Sequence, residues 1–281
     1  QNTTSEGNTA VGAYALDANT TGSQNVAVGI SSLTANTTGT KNIGIGANAL
    51  SSCNGNHNIA IGYNAGDAIT TADRNIFVGT DAGTSLTTAF SNVGIGYEAL
   101  KLNVSGTSNA AVGWASLKNT TGAYNSGFGG RTLQANTSGM RNVAVGYDAL
   151  VSNTTASNNV AVGVEALEGI TTGGDNVSIG YKSLYSSTTT SSAVAIGRDA
   201  MYGGTSNSQS VAIGAYALRA GGSMENVAVG YFAAYSNTAE ATVAVGFEAL
   251  KDNTSGPRNT AVGRRALQNN TTAANNSAFG F

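Results

Sequence analysis

The chain has 281 residues, a formal charge of −2 and charged side chains at only 10% of positions. That share is far below the roughly 25% usual for soluble domains, so solubility must rest on Asn, Thr, Ser and Gly. A near-neutral balance without a basic stripe argues against a nucleic-acid partner. No apolar run approaches the roughly 18 residues of a membrane span.

Taken in chain order, the sequence is one pattern written many times. It opens without Met at QNTTSEGN, the second half of a unit. An apolar triplet then ends in glycine at Gly12, Gly29, Gly46, Gly62, Gly79, Gly96, Gly113, Gly129, Gly146, Gly163, Gly180, Gly197, Gly214, Gly230, Gly246, Gly263 and Gly280, always 16 or 17 residues apart. The residue before the glycine is Val, Ile or Phe in every copy, from Val11 through Ile61 and Phe128 to Phe279. Two positions earlier stands mostly Val or Ile, with Thr9, Ala110, Ser126, Thr260 and Ser277 as exceptions. A small residue separates the two, except at Phe77. This alternation over so short a span predicts a strand of three or four residues before each glycine.

Four residues after most of the glycines comes Leu, as at Leu16, Leu33, Leu100 and Leu150; Met201 and Ala234 replace it, and Gly66 and Gly83 leave the place empty. An N-T-T-G turn or a variant follows, led by residues such as Asn19, Asn36 and Asn136. Asn and Gly both accept the backbone angles of tight turns. A unit this short has no room for a helix pair, and its Val, Thr, Gly and Asn content opposes helix. The predicted fold is all-β: a parallel β-solenoid or β-roll of about seventeen coils, one per repeat, running over residues 1–281 as a single array. At about 4.8 Å per coil it would form a rod of roughly 80 Å. The chain stops at NNSAFGF, the first half of a unit, so an excerpt of a longer fibre is the expectation. Cys53 is the sole cysteine, which rules out an intrachain disulfide.

The segments NVAVG (25–29), NIAIG (58–62), AVAIG (193–197) and SVAIG (210–214), each followed at fixed offset by a small residue, resemble the haemagglutinin-type head repeats of trimeric autotransporter adhesins. Related repeats occur in phage tail fibres. The resemblance spans essentially the whole chain, although the N-T-T-G turn makes the unit longer and no heptad stalk, neck or anchor accompanies it. It implies a left-handed β-roll, a homotrimer, and an adhesive or fibre role on a cell surface or virion.

In a stack, each repeat position becomes a ladder. The position after the glycine holds Tyr63, Tyr97, Trp114, Tyr147, Tyr181, Tyr231 and Phe247, a row that would contact a host glycan or protein if exposed, or pack between protomers if covered. The next position holds Asp81, Glu98, Asp148, Glu165, Asp199 and Glu248, interrupted by Arg131, Lys182 and Arg265. Asp81 with Glu98, and Asp148 with Glu165, would lie near the carboxylate spacing of about 5 Å found in retaining glycosidases. The regular alternation of sign reads instead as a solvated face, and no enzyme is expected. Thr pairs in the turns (Thr20 with Thr21, Thr70 with Thr71, Thr171 with Thr172) raise an ice-binding alternative, although turn chemistry accounts for them more simply. The same turns create N-x-[ST] sequons at Asn2, Asn19, Asn36, Asn103, Asn119, Asn136, Asn153, Asn253 and Asn270, as candidate glycosylation sites on surface turns. His57 is the only histidine, so no metal site is expected, and nothing supports a nucleotide or other cofactor. The expected function is a non-enzymatic, multivalent extracellular fibre or adhesin. The alternative is a monomeric or filament-forming solenoid with a structural or ice-binding role.

Overall fold

The computed structural model describes residues 5–281, and among them no helix occurs. Every expected strand forms, each three residues long. The strands fall into two compact units, Gln1–Arg141 and Asn142–Phe281. The first carries β1 (Thr9–Val11) through β8 (Ser126–Phe128), and the second β9 (Val143–Val145) through β17 (Ser277–Phe279). Within each unit, consecutive strands pair in parallel and in register, one coil apart. Val26, Ala27 and Val28 face Ile43, Gly44 and Ile45 in the first unit, and Val160, Ala161 and Val162 face Val177, Ser178 and Ile179 in the second. The fold is the all-β parallel solenoid that the repeat predicts.

The direction of the side chains was not evident from the alternation. The small middle residue points inward and is fully buried at Ala27, Ala60, Ala111, Ala161 and Ala244. The flanking Val and Ile remain partly exposed, with Ile95 at 38%. The core is therefore narrow, built from the middle residues, the Ala-Leu pair that follows each glycine, and buried asparagines.

The arc after each strand is a run of turns rather than a second strand. It places three non-glycine residues of most coils in the left-handed region; in one coil these are Glu98 (φ 57°), Leu100 (φ 54°) and Ser108 (φ 57°). Each such residue costs roughly 1–2 kcal/mol. Each also sends its backbone N–H to an adjacent coil: Glu98 to Thr80 O at 3.0 Å, Leu100 to Ser116 O at 3.1 Å and Ser108 to Phe90 O at 3.2 Å. The strained angles turn the amides along the stack, where they find acceptors. The strand-ending glycine is fixed more stringently: Gly96 has φ 135°, and a Cβ there would meet the carbonyl oxygen of Gly113 at 2.5 Å. Only glycine satisfies both conditions.

Phe77 and the two missing leucines explain each other. Phe77 is fully buried where other coils carry Ala, Gly or Ser. A Cβ on Gly83 would lie 2.5 Å from its ring, and one on Gly66 would lie 3.2 Å away. The ring thus fills the space that Leu would occupy in two coils. Phe77→Ala alone is expected to cost about 3–5 kcal/mol, and Gly83→Leu alone to destabilise by overpacking. The double variant Phe77→Ala/Gly83→Leu recovers most of the loss, because leucine already adopts this left-handed geometry in other coils, as at Leu100. Urea midpoints for the four proteins of this cycle check the coupling.

Candidate binding surface

The outward residues of successive strands line up as aliphatic ladders. In the first unit the residues before the glycine are Val11, Val28, Ile45, Ile61, Val78, Ile95, Val112 and Phe128, all exposed or half-buried. The aromatic row begins one position beyond the glycine. Tyr63, Tyr97, Trp114, Tyr147, Tyr181, Tyr231 and Phe247 are all exposed, from 54% at Tyr63 to 40% at Phe247. The rows are not equivalent along the chain. Tyr231 and Phe247 stack on each other with centroids 5.7 Å apart and planes 13° apart, so each uses a ring face on its neighbour. Tyr63 stands between Ala47 and Thr80 in its ladder, without an aromatic neighbour in the adjacent coils.

The charged ladder is tied down by ion pairs. Lys101 bridges Asp81 (3.1 Å) and Glu98 (2.7 Å), and Lys118 binds the other oxygen of Glu98 at 2.7 Å. Lys182 pairs with Glu165 at 3.1 Å, and Arg265 with Glu248 at 2.9 Å. The carboxylates proposed as a pair, Asp81 and Glu98, thus share a lysine. The hydrogen bonds from Lys101 and Lys118 hold the Glu98 carboxyl below its usual range, opposite to the shift a general acid needs. His57 sits in a ladder between Lys41 and Arg74, whose charges oppose a bound cation.

The turn residues are engaged within the stack. Thr20, Thr70, Thr171 and Thr254 each donate the side-chain hydroxyl to a backbone carbonyl one coil on, at 2.9–3.2 Å. The sequon asparagines correct an expectation. Asn19, Asn36, Asn103, Asn136, Asn153 and Asn253 lie inside the coil and are essentially inaccessible. Their Nδ2 groups donate to the carbonyl three residues on, for example Asn36 to Gly39 O at 3.1 Å and Asn253 to Gly256 O at 3.0 Å. The folded chain does not present these amides for glycosylation. Asn119 and Asn270 are half-buried, and Asn2 lies outside the described residues.

Two features escaped the sequence reading. The asparagine that opens most strand motifs forms a buried ladder of its own: Asn159 N–H donates to Asn142 Oδ1 at 3.0 Å, while Asn159 Nδ2 donates to Gly173 O at 3.1 Å. Its recurrence was visible, but a polar residue next to a strand does not announce burial. The second feature is an aromatic ladder five residues after the glycine, at Tyr185, Tyr202 and Tyr235, with Arg219 among them. The constant offset was the available signal. No protein-family model matches the chain, and no curated protein is similar to it.

The Glu98 pairing has a pH signature. A carboxylate whose folded value is depressed contributes stability that is fully present above its unfolded value, about 4.3, and is lost as pH falls through the folded value. Glu98→Gln is therefore expected to lower the urea midpoint at pH 7, by less than about 1 kcal/mol for so exposed a network. The gap should close as the pH is taken down through the carboxylate range. Denaturant titrations of both proteins from pH 7 to pH 2 measure it.

Proposed function

We propose that this chain is a non-enzymatic segment of an extracellular fibre or adhesin, in which copies pack side by side, three to an assembly in the left-handed β-roll manner of autotransporter heads. The aliphatic ladder carries this reading. In the first unit, Val11, Ile45, Ile61, Ile95 and Phe128 are all 37–58% exposed, and a contiguous apolar row of this kind marks an interaction surface. The second unit continues the pattern with Val145, Val162, Ile179 and Ile213, all exposed. Such a row, flat and periodic, is complementary to another copy of itself.

Composition supports an exterior setting: few charges, abundant Asn, Thr and Gly, and stability from stacking rather than cross-links. The aromatic row would border the packed face and add contacts to a neighbouring copy or a host surface. The ion pairs that tie Asp81, Glu98, Glu165 and Glu248 to lysine or arginine support the non-enzymatic reading. Repeated weak contacts linked in one chain raise avidity without strong individual sites.

Sedimentation velocity at micromolar concentration tests the assembly, with three times the 28.0 kDa chain mass as the expected result. A monomer overturns it. Ile95→Glu, on the outward ladder, is expected to yield a folded monomer with an unchanged far-UV spectrum. Ala111→Glu, one coil away on the inward side, is expected to unfold the coil around it, because it would bury an unpaired carboxylate.

A further inference from the structure

The second unit carries a cation held between aromatic rings that the fibre reading does not use. Tyr185, Tyr202, Arg219 and Tyr235 stand five residues after Gly180, Gly197, Gly214 and Gly230, so register brings them one above another. The rings of Tyr185 and Tyr202 lie 5.0 Å apart with planes 2° apart. The Arg219 guanidinium continues the stack, 4.7 Å from the Tyr202 centroid and 5.9 Å from that of Tyr235. Phe232 meets Tyr235 edge-on at 4.8 Å and stacks on Tyr216 at 5.0 Å, which props the column from the side. All four members are half-buried.

The charges around the column are not equivalent. Lys182 pairs with Glu165, Arg198 with Asp199 and Lys251 with Glu248. Arg219 forms no ion pair with any described residue. Its guanidinium lies over aromatic rings of both adjacent coils, so it loses less freedom than a free side chain when it binds an anion. Phenol edges occupy the coils above and below it.

We propose that Tyr185, Tyr202, Arg219 and Tyr235 form a binding site for a carboxylated sugar within an extended glycan. The guanidinium takes the carboxylate in a two-point hydrogen bond, while the phenol hydroxyls, one coil apart, meet the hydroxyls of flanking sugars. Ring faces in the column are occupied by one another, so the site reads its ligand with edges. Single-stranded nucleic acid needs open ring faces for its bases and a continuous positive groove, and here the ladder carries Glu168 one coil before Tyr185. Glu168 in that place also disfavours a second carboxylate two coils from Arg219. A chain that alternates acidic and neutral sugars fits this spacing better than one charged at every unit.

The site deepens the adhesive part of the function proposed above and does not depend on assembly of copies. Isothermal calorimetry on the full chain tests it, with an oligosaccharide alternating glucuronate and N-acetylglucosamine as probe. A neutral N-acetylglucosamine oligomer of equal length, heparin and oligo(dT) serve as comparisons. The alternating oligosaccharide is expected to bind at least about tenfold tighter than the neutral one, and Arg219→Lys to lose about tenfold through loss of the fork. Arg219→Gln should abolish binding with an unchanged far-UV spectrum and melting midpoint, and Tyr97→Ala should leave binding intact. Equal binding of the neutral oligomer, preference for heparin or oligo(dT), or unchanged affinity in Arg219→Gln overturns the site. Sedimentation of the same samples reads assembly separately, so an assembled protein that binds no acidic glycan counts against the site alone.

Discussion

Within each unit, the fold depends on main-chain hydrogen bonds that run from coil to coil in register. Strand amides account for part of them, as in Val26 N–H to Asn42 O at 2.9 Å. The turn arc supplies the rest, through residues held at positive φ. Isolated left-handed residues would destabilise a loop, and three per coil would forbid this backbone outside a stack. Stacking turns the same angles into partners for otherwise orphaned amides, which a lone coil cannot offer.

Register makes every side chain meet its own kind, and the consequences differ by chemistry. Asparagine profits, because its side-chain amide accepts from and donates to the following coil while its own backbone N–H donates to the asparagine of the preceding one, so a buried polar row is paired rather than costly. Aromatic residues profit by stacking, as Tyr185 does on Tyr202. Like charges would suffer, and the carboxylates of the charged ladder are accordingly interleaved with lysine and arginine. The core tolerates irregularity only when neighbours compensate. Phe77 stands against Gly66 and Gly83, and Gly127 leaves room for the hydroxyls of Ser116 and Thr132, which lie 2.7 Å apart.

Architecture was legible in the sequence because glycine at the strand end admits no substitute: the geometry at Gly96 demands both its φ and its missing side chain, and an unbroken spacing follows. Small residues at the strand centre also carried information that alternation alone did not yield. Alternation says that two faces differ, and a reader expects Val and Ile to be the buried ones. The turn arc packs against the strand's inner side too closely for them. At Gly44 an added Cβ would already lie 2.6 Å from Ser32 Oγ. Sequons misled for a related reason, since a turn on a thin coil bends around its own Asn and encloses it. The site at Arg219 was hidden because its members share only an offset from glycine, and their residue types vary along the ladder.

The thinness of the coil links fold to function. A strand backed by an arc of turns leaves inner space for Ala and one Leu per coil, and so bulky β-branched residues that favour extended backbone must face outward. A solvated face would be served equally well by Thr, which appears there only at Thr9 and Thr260. Valine and isoleucine at nearly every other coil supply apolar surface that folding of the single chain does not bury. Hydrophobic stabilisation of about 25 cal/mol per Å² is therefore still available after the coil has formed. A coil too narrow to enclose its own aliphatic residues leaves that term to a second surface, and a copy of the same chain offers one with the same period, which is the physical basis of the assembly proposed above.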